Sequence, residues 1–242
     1  MSQPFYVSPE QVMKDRADYA RKGIARGRSL VALEYEDGIV LVAENPSRTL
    51  FKVSEIYDRI AFAGVGKYNE FQMLKIAGVR LADMKGYSYS REDVTANSLA
   101  NAYAQTLGQV FTHEMKPYEV EILVASVGVE DGDPNELFHI LYDGTVFDEQ
   151  GYTVLGGQSD AIVDLLKRDY TPGLTLSAAI RLGARVLSPP DAPPLPSGQL
   201  EVAALQRSRQ RRAFHRIKGT ELEALLAGDP AEPDPAQPGP AA

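Results

Sequence analysis

The chain has 242 residues, of which 44% are hydrophobic and 24% charged, with a net charge of −8 and no cysteine. Such a chain is long enough for a self-sufficient core, and its composition is that of an ordinary globular protein. Disulfides, thiol catalysis and cysteine-built metal sites are excluded, and the negative balance argues against general nucleic-acid binding, which needs clustered cations. The three histidines, His113, His139 and His215, are far apart and form no His-x-x-x-His pair, so neither a metal nor another cofactor is expected. The N-terminus lacks the charged-then-apolar layout of a signal segment. No apolar run approaches the ~20 residues of a membrane helix. No membrane partner and a cytoplasmic location are the expectations.

In chain order, residues 1–7, with Pro4, Phe5 and Tyr6, read as an extended arm. Ser8-Pro9-Glu10-Gln11 is a helix start, with Ser8 as N-cap and Pro9 at the first helical position. Val12, Met13, Tyr19, Ala20 and Ile24 recur at roughly helical spacing, and Gly27 is a stop. The stretch RSLVALEYEDGIVLVAE, Arg28 to Glu44, then reads as a β-hairpin around Asp37-Gly38. Its second run is almost continuously apolar, which predicts cover on both faces. Asn45-Pro46-Ser47 breaks it. A short strand is predicted over Leu50 to Val53 and a buried one over Arg59 to Val65.

Helices are predicted from Lys67 to Met84 and from Arg91 to Met115, the second opened by Ser90, with a turn at Gly86 between them. Glu119 to Val127 alternates as a strand does. Leu137 to Tyr142 and Thr145 to Phe147 form a second hairpin around Asp143-Gly144, and Tyr152 to Leu155 is a short strand. Two helices, Ala161 to Tyr170 and Leu174 to Leu187, flank Thr171-Pro172-Gly173. Leu200 to Leu205 is a late strand. Thr220 to Glu223 reads as a capping box that opens a last helix ending near Gly228. Residues 229–242, DPAEPDPAQPGPAA, are an acidic Pro/Ala-rich tail that cannot build a core. Strands in hairpins and helices in pairs suit antiparallel sheets stacked face to face between helix layers, an α+β arrangement.

Several chemical motifs fail on inspection. Gly64-Val65-Gly66-Lys67 lacks the first glycine and the Ser/Thr of a phosphate loop, with Ala61 and Tyr68 there instead. Asp131 and Asp133 sit in a Gly/Pro loop and read as solvating it. The basic run Arg207, Arg209, Arg211, Arg212, Arg216 and Lys218 has no aromatic platform for nucleic acid and reads as a solvated or subunit-contact surface.

Five segments carry a family resemblance: DYARKGIARGRSLVALEYEDGIVLVAE, KVSEIYDRIAFAGVGKYNEF, YAQTLG, KPYEVEILVA and LYDGTVFDEQGYTVLGGQSDAIVDLLK. In this order they resemble α-type subunits of the 20S proteasome core, of the actinobacterial kind, from about Pro9 to Leu226. The resemblance implies the four-layer αββα sandwich of N-terminal-nucleophile hydrolases over residues 8–228, with the N-terminal helix in 8–27. Catalytic members of that fold use a Thr or Ser that is the first residue of the mature chain, its free α-amine acting as base. That position falls at about Arg28, with Ser29 beside it. Neither is N-terminal unless the capped helix before it is removed; such processing, giving an active hydrolase, is the alternative reading. Glu44 lies near the acidic partner of the catalytic members and reads as ending its strand. The lysine of those enzymes finds no match, with Arg48 and Lys52 in the segment instead. The expectation is a non-catalytic subunit with no catalytic residue.

The resemblance further implies seven-membered rings of this chain capping rings of β subunits. It also implies docking of a ring-shaped AAA proteasomal ATPase through its C-terminus, for degradation of pupylated proteins. Phe5, Tyr6, Val7 and Ser8 are then gate residues at the axial entrance. Lys52 aligns with the lysine that receives the activator's C-terminal carboxylate between neighbouring α subunits. Gly66, Lys67, Tyr68 and Asn69 match the loop that rims the channel. The Tyr-Asp-Arg motif found in the arm of many α subunits outside this bacterial group is replaced here by Tyr6-Val7-Ser8.

Overall fold

The computed structural model describes residues 8–130, 132–189 and 192–228, so the arm at 1–7, with Phe5, Tyr6 and Val7, and the tail at 229–242 lie outside the described residues. The chain opens with helix α1 (Pro9–Ile24), where the Ser8 hydroxyl accepts the Gln11 backbone N–H at 3.2 Å. Strands β1 (Leu30–Tyr35) and β2 (Gly38–Glu44) form the first hairpin, with Leu30 opposite Ala43 and Tyr35 opposite Gly38. Then come β3 (Val53–Tyr57), β4 (Ile60–Gly66), α2 (Tyr68–Ser88), α3 (Ala96–His113) and β5 (Val120–Ser126). The order continues with β6 (Glu136–Ile140), β7 (Val146–Glu149), β8 (Tyr152–Leu155), α4 (Ser159–Asp169) and α5 (Leu176–Val186). Strands β9 (Leu200–Gln206) and β10 (Phe214–Ile217) and helix α6 (Thr220–Ala227) close it.

Two five-stranded sheets result, ordered β10-β9-β2-β1-β8 and β3-β4-β5-β6-β7, and the described strand pairings are antiparallel. Strand alternation decides the layers. From the first hairpin, Leu30, Ala32, Ile39, Leu41 and Ala43 face the second sheet, where they meet Val53, Ala61, Ala63, Leu123 and Leu137. The intervening Val31, Leu33, Tyr35, Val40 and Val42 pack under α4, α5 and α6 through Ile162, Leu166, Ile180 and Leu222. The other face of the second sheet carries Phe62, Ile122, Val124 and Phe138 against Phe71 and Leu74 of α2 and Leu99, Tyr103 and Leu107 of α3. The molecule is therefore a four-layer αββα sandwich, and the near-continuous apolar run of β2 is explained by its cover on both faces.

Helix α1 stands apart from these layers. Ala20 and Ile24 are its buried residues, set against Tyr142, Phe111 and Leu141. Val12, Met13 and Tyr19 are exposed, although their spacing put them on the same stripe.

Other expectations are corrected in detail. The third strand begins at Val53; just before it the Lys52 carbonyl still accepts the Gly64 N–H of β4 at 3.1 Å, while the Lys52 N–H turns to the Glu201 side chain. Helix α2 runs on through Gly86 to Ser88, since Tyr57 packs so closely there that an added Cβ would stand 2.9 Å from its Cζ. Ser90 caps a 3-10 turn at Arg91–Asp93, and the cap of α3 is Thr95, whose hydroxyl accepts from Ser98 N at 3.2 Å. Thr220 is the first residue of α6 rather than its cap, because the chain arrives through Gly219 at φ +61° with no side-chain cap. Strand β10 went unpredicted inside the basic run.

Leu41 is fully buried between the sheets. Leu41→Ala is expected to destabilise the folded subunit by about 2–5 kcal/mol, the usual cost of a core leucine with its cavity. Urea unfolding of the purified subunit measures it.

Candidate functional site

The head of the first hairpin is where the fold's catalytic members would carry a nucleophile. Ser29 is 8% exposed here, and its carbonyl accepts the Glu44 backbone N–H at 3.2 Å. The chain does not begin at this point. It arrives from α1 through a turn in which Gly27 N–H donates to Ile24 O at 2.8 Å. That turn is seated against the end of β8: an added Cβ at Gly157 would stand 2.6 Å from Ala25 Cα. The nitrogens of Arg28 and Ser29 are therefore peptide nitrogens, with no free amine to act as base.

Glu44 and Lys52 both contact Arg28 at this point. Glu44 Oε1 pairs with the Arg28 guanidinium, with Arg28 half exposed. Lys52 Nζ donates to the Arg28 carbonyl at 2.5 Å. Lys52, just before β3, thus reaches the hairpin head. Burial pushes its pKa down to about 8; Glu201 and Glu44 oppose that shift and Arg28 adds to it.

What holds Lys52 there is Glu201 of β9, 6% exposed. One carboxylate oxygen accepts from Asn45 Nδ2 and Lys52 N, both at 2.8 Å. The other accepts from Val53 N at 3.0 Å and Arg216 Nη1 at 2.7 Å. Arg216 also donates to Val53 O at 2.7 Å and lies 4.2 Å from the Phe51 ring centroid. Asn45 Nδ2 additionally donates to Leu50 O at 2.7 Å. Val53 at the second sheet's edge and Asn45, Leu50 and Lys52 of the link before it are thereby tied to the first sheet. Neither Glu201 nor Arg216 was singled out as part of this site in the sequence. The available signal was an acid inside an otherwise apolar strand, which requires a cation partner.

The remaining candidates are scattered. Ser8 caps α1. Gly66 closes β4 at φ +103°, and Lys67 N–H donates to Glu119 O at 2.9 Å. Tyr68 packs edge-on against Phe71 with centroids 5.1 Å apart, while Lys67 and Asn69 are exposed. Asp133 closes its own loop by accepting from Val129 N and Glu130 N at 3.1 and 3.0 Å, which lowers its pKa. The basic run is largely engaged within the subunit: Arg212 pairs with Glu55, Arg216 with Glu201, and Arg207 donates to Asn135 at 2.9 Å. That leaves it poorly suited to a phosphate backbone. Among the described residues, no cluster of His, Asp and Glu could hold a metal ion. Nor is any helix among them long and apolar enough to cross a membrane.

Residues 24–189 match the profile of the family described as proteasome subunit. "Proteasome subunit alpha" of Sanguibacter keddieii is 57% identical across 100% of this chain and 96% of that protein. The same-named proteins of Thermomonospora curvata and a Nocardioides species are 57% and 54% identical, across 94% and 98% of this chain and 99% and 98% of theirs.

Glu201→Ala would leave the Arg216 guanidinium and three N–H donors without their acceptor. A loss of about 3–5 kcal/mol is expected, as for other broken buried ion pairs, and thermal unfolding of the subunit checks it.

Proposed function

The chain belongs to the proteasome subunit family, and from that premise we propose that it is a non-catalytic α subunit of a bacterial 20S proteasome core. In this role seven copies form each outer ring, the rings stack on rings of β subunits, and the N-terminal arms restrict access to the proteolytic chamber. A ring-shaped ATPase docks on the outer face and delivers pupylated proteins. The observation that carries the non-catalytic reading is the occupied hairpin head. Glu44 and Lys52 lie beside it, but the residue that would have to be a free N-terminal Thr or Ser is an arginine joined to a packed helix.

Lys52 is the docking residue in this reading. Its ammonium is a compact point charge suited to a carboxylate. Leu50 and Phe51 are exposed beside it, an apolar flank for the residues that precede the activator's terminal carboxylate. Because its pKa is lowered to about 8, the ammonium predominates at neutral pH and is lost as pH rises through that value.

Two outcomes test the reading. Co-expressed with the cognate β subunit, the chain is expected to form ring-stacked particles, and deletion of residues 2–7 is expected to speed their hydrolysis of long peptides. Particles that never form, or a rate that does not change, would remove the assembly or the gate respectively. Lys52→Ala should cut activator-dependent protein degradation about tenfold or more, as expected for loss of a close interfacial charge pair, without affecting assembly. In the unaltered particle the same stimulation should decline as pH rises through about 8. A response indifferent to both would show that the carboxylate docks elsewhere.

A further inference from the structure

The environment of Lys52 makes it a nucleophile as well as a charge. Its Nζ is held by a bond to the Arg28 carbonyl at 2.5 Å, and the residue is half-buried. The charged groups facing it are Arg28 just before β1, Glu44 at the end of β2 and Glu201 of β9. Glu201 is already engaged by Asn45, Lys52 N, Val53 N and Arg216. Burial lowers the Lys52 pKa to about 8, with Arg28 adding to the shift and both acids opposing it. At about pH 7.5 roughly a quarter of such amines are neutral, against about one in a thousand for an ordinary lysine. A lysine that is desolvated and set next to another cation is the usual form of an amine nucleophile.

The groups around the amine supply the rest of a reaction site. A neutral amine that directs one N–H at the Arg28 carbonyl has its lone pair directed elsewhere, toward an incoming electrophile. Arg28 provides an anchor. Its side chain is 52% exposed, and Glu44 pairs with one nitrogen, Nη1, of a fork that carries five N–H donors. A guanidinium fork of this kind suits phosphate. Leu50 and Phe51 are exposed beside Lys52 and give an apolar border for a short acyl chain. A nucleophilic amine, a phosphate-binding cation and an apolar border match the three parts of an acyl phosphate: its carbonyl carbon, its phosphate and its alkyl group.

We propose that Lys52 is a modification site, acylated by small acyl phosphates held on Arg28, and that acylation switches the docking function off. The switch rests on the docking reading above; the acylation site does not. In the step, neutral Lys52 Nζ attacks the acyl carbon. A C–N bond forms, the C–O bond to phosphate breaks, inorganic phosphate leaves from Arg28, and the surplus amine proton passes to solvent. The product is a neutral amide. It keeps one N–H for the Arg28 carbonyl but has no charge to offer a carboxylate.

The test incubates the full-length chain, and the particle assembled with its β subunit, with acetyl phosphate at about pH 7.5 while mass spectrometry follows each lysine. Lys52 is expected to be acetylated about tenfold or more faster than the exposed Lys14, Lys22, Lys167 and Lys218. That is less than its excess of neutral amine, because nucleophilicity falls with basicity, as it does for thiols. Its rate should rise with pH and level off above about 8, while theirs keep climbing. Arg28→Gln should slow acetylation of Lys52 and move the levelling-off to higher pH, since a cation beside the amine is gone. Particles should lose activator-dependent degradation in proportion to acetylation at Lys52. Acetylation of Lys52 no faster than that of the exposed lysines, in both chain and particle, overturns the site. A rate and pH profile unchanged by Arg28→Gln overturns the anchor. Acetylated particles that respond fully to the activator, when Lys52→Ala particles do not, overturn the switch alone. If Lys52→Ala particles also respond fully, the docking reading falls with the switch, and the acylation site stands on the mass-spectrometric result.

Discussion

Everything about this subunit turns on one covalent fact with a packing consequence: the peptide chain continues through the head of its first hairpin. A free N-terminus at that point would present an amine to Glu44 and Lys52, which lie beside it. A continuing chain presents a carbonyl instead, and Lys52 donates to it. The continuing chain is also seated, with its turn against Gly157 and the helix behind it on Tyr142 and Phe111. Two sheets with an apolar interior provide the frame, and the segment across their ends decides what the frame is used for.

The apolar and the charged parts of the structure have different duties. Leu, Ile, Val and Ala fill the layers, and burial of such side chains supplies most of the folding energy at roughly 1.5–3 kcal/mol for each large one. That energy is non-directional and would tolerate small shifts at the sheet ends. Direction comes from two buried carboxylates. Glu201 gathers four donors and fixes the link before β3, hence Lys52. Glu70 gathers a lysine and a backbone N–H and fixes the link before β5, hence Glu119 beside α1. Each is a buried charge with good partners, the situation in which ion pairs confer geometry more than stability.

The sequence made the sandwich legible because strand alternation and turn chemistry are local signals. The Asp37-Gly38 and Asp143-Gly144 turns, the apolar run of β2 and the cap at Ser8 all describe their own neighbourhoods. What escaped was set by partners distant in the chain. Strand β10 is short and polar, and its place is fixed by pairing Phe214 with Leu205 and Ile217 with Val202. Read alone, its arginine belonged to a basic run; in the fold that arginine belongs to Glu201. Helix α2 passes through Gly86, which local chemistry marks as a breaker, because Tyr57 from another layer needs the space. At the candidate site, Lys52 was singled out by resemblance. Its contact with Arg28 O depends on Glu201, 149 residues away, and no local pattern could reveal it.

The same distinction bears on what the hairpin head can do. The hairpin is a property of its strands, whereas Glu44 and Lys52 contact the segment that precedes them. What precedes them changes the electrostatics of the lysine. Burial and the Arg28 guanidinium at the hairpin head push the Lys52 pKa down to about 8, while Glu201 and Glu44 act to keep its charge. In the docking role proposed for it, a charged lysine with apolar neighbours suits a carboxylate. A lysine beside a free amine and a hydroxyl would instead take part in proton transfer. On the proposed reading, the helix at the front of the hairpin both withholds the nucleophile and leaves the lysine as a binding group.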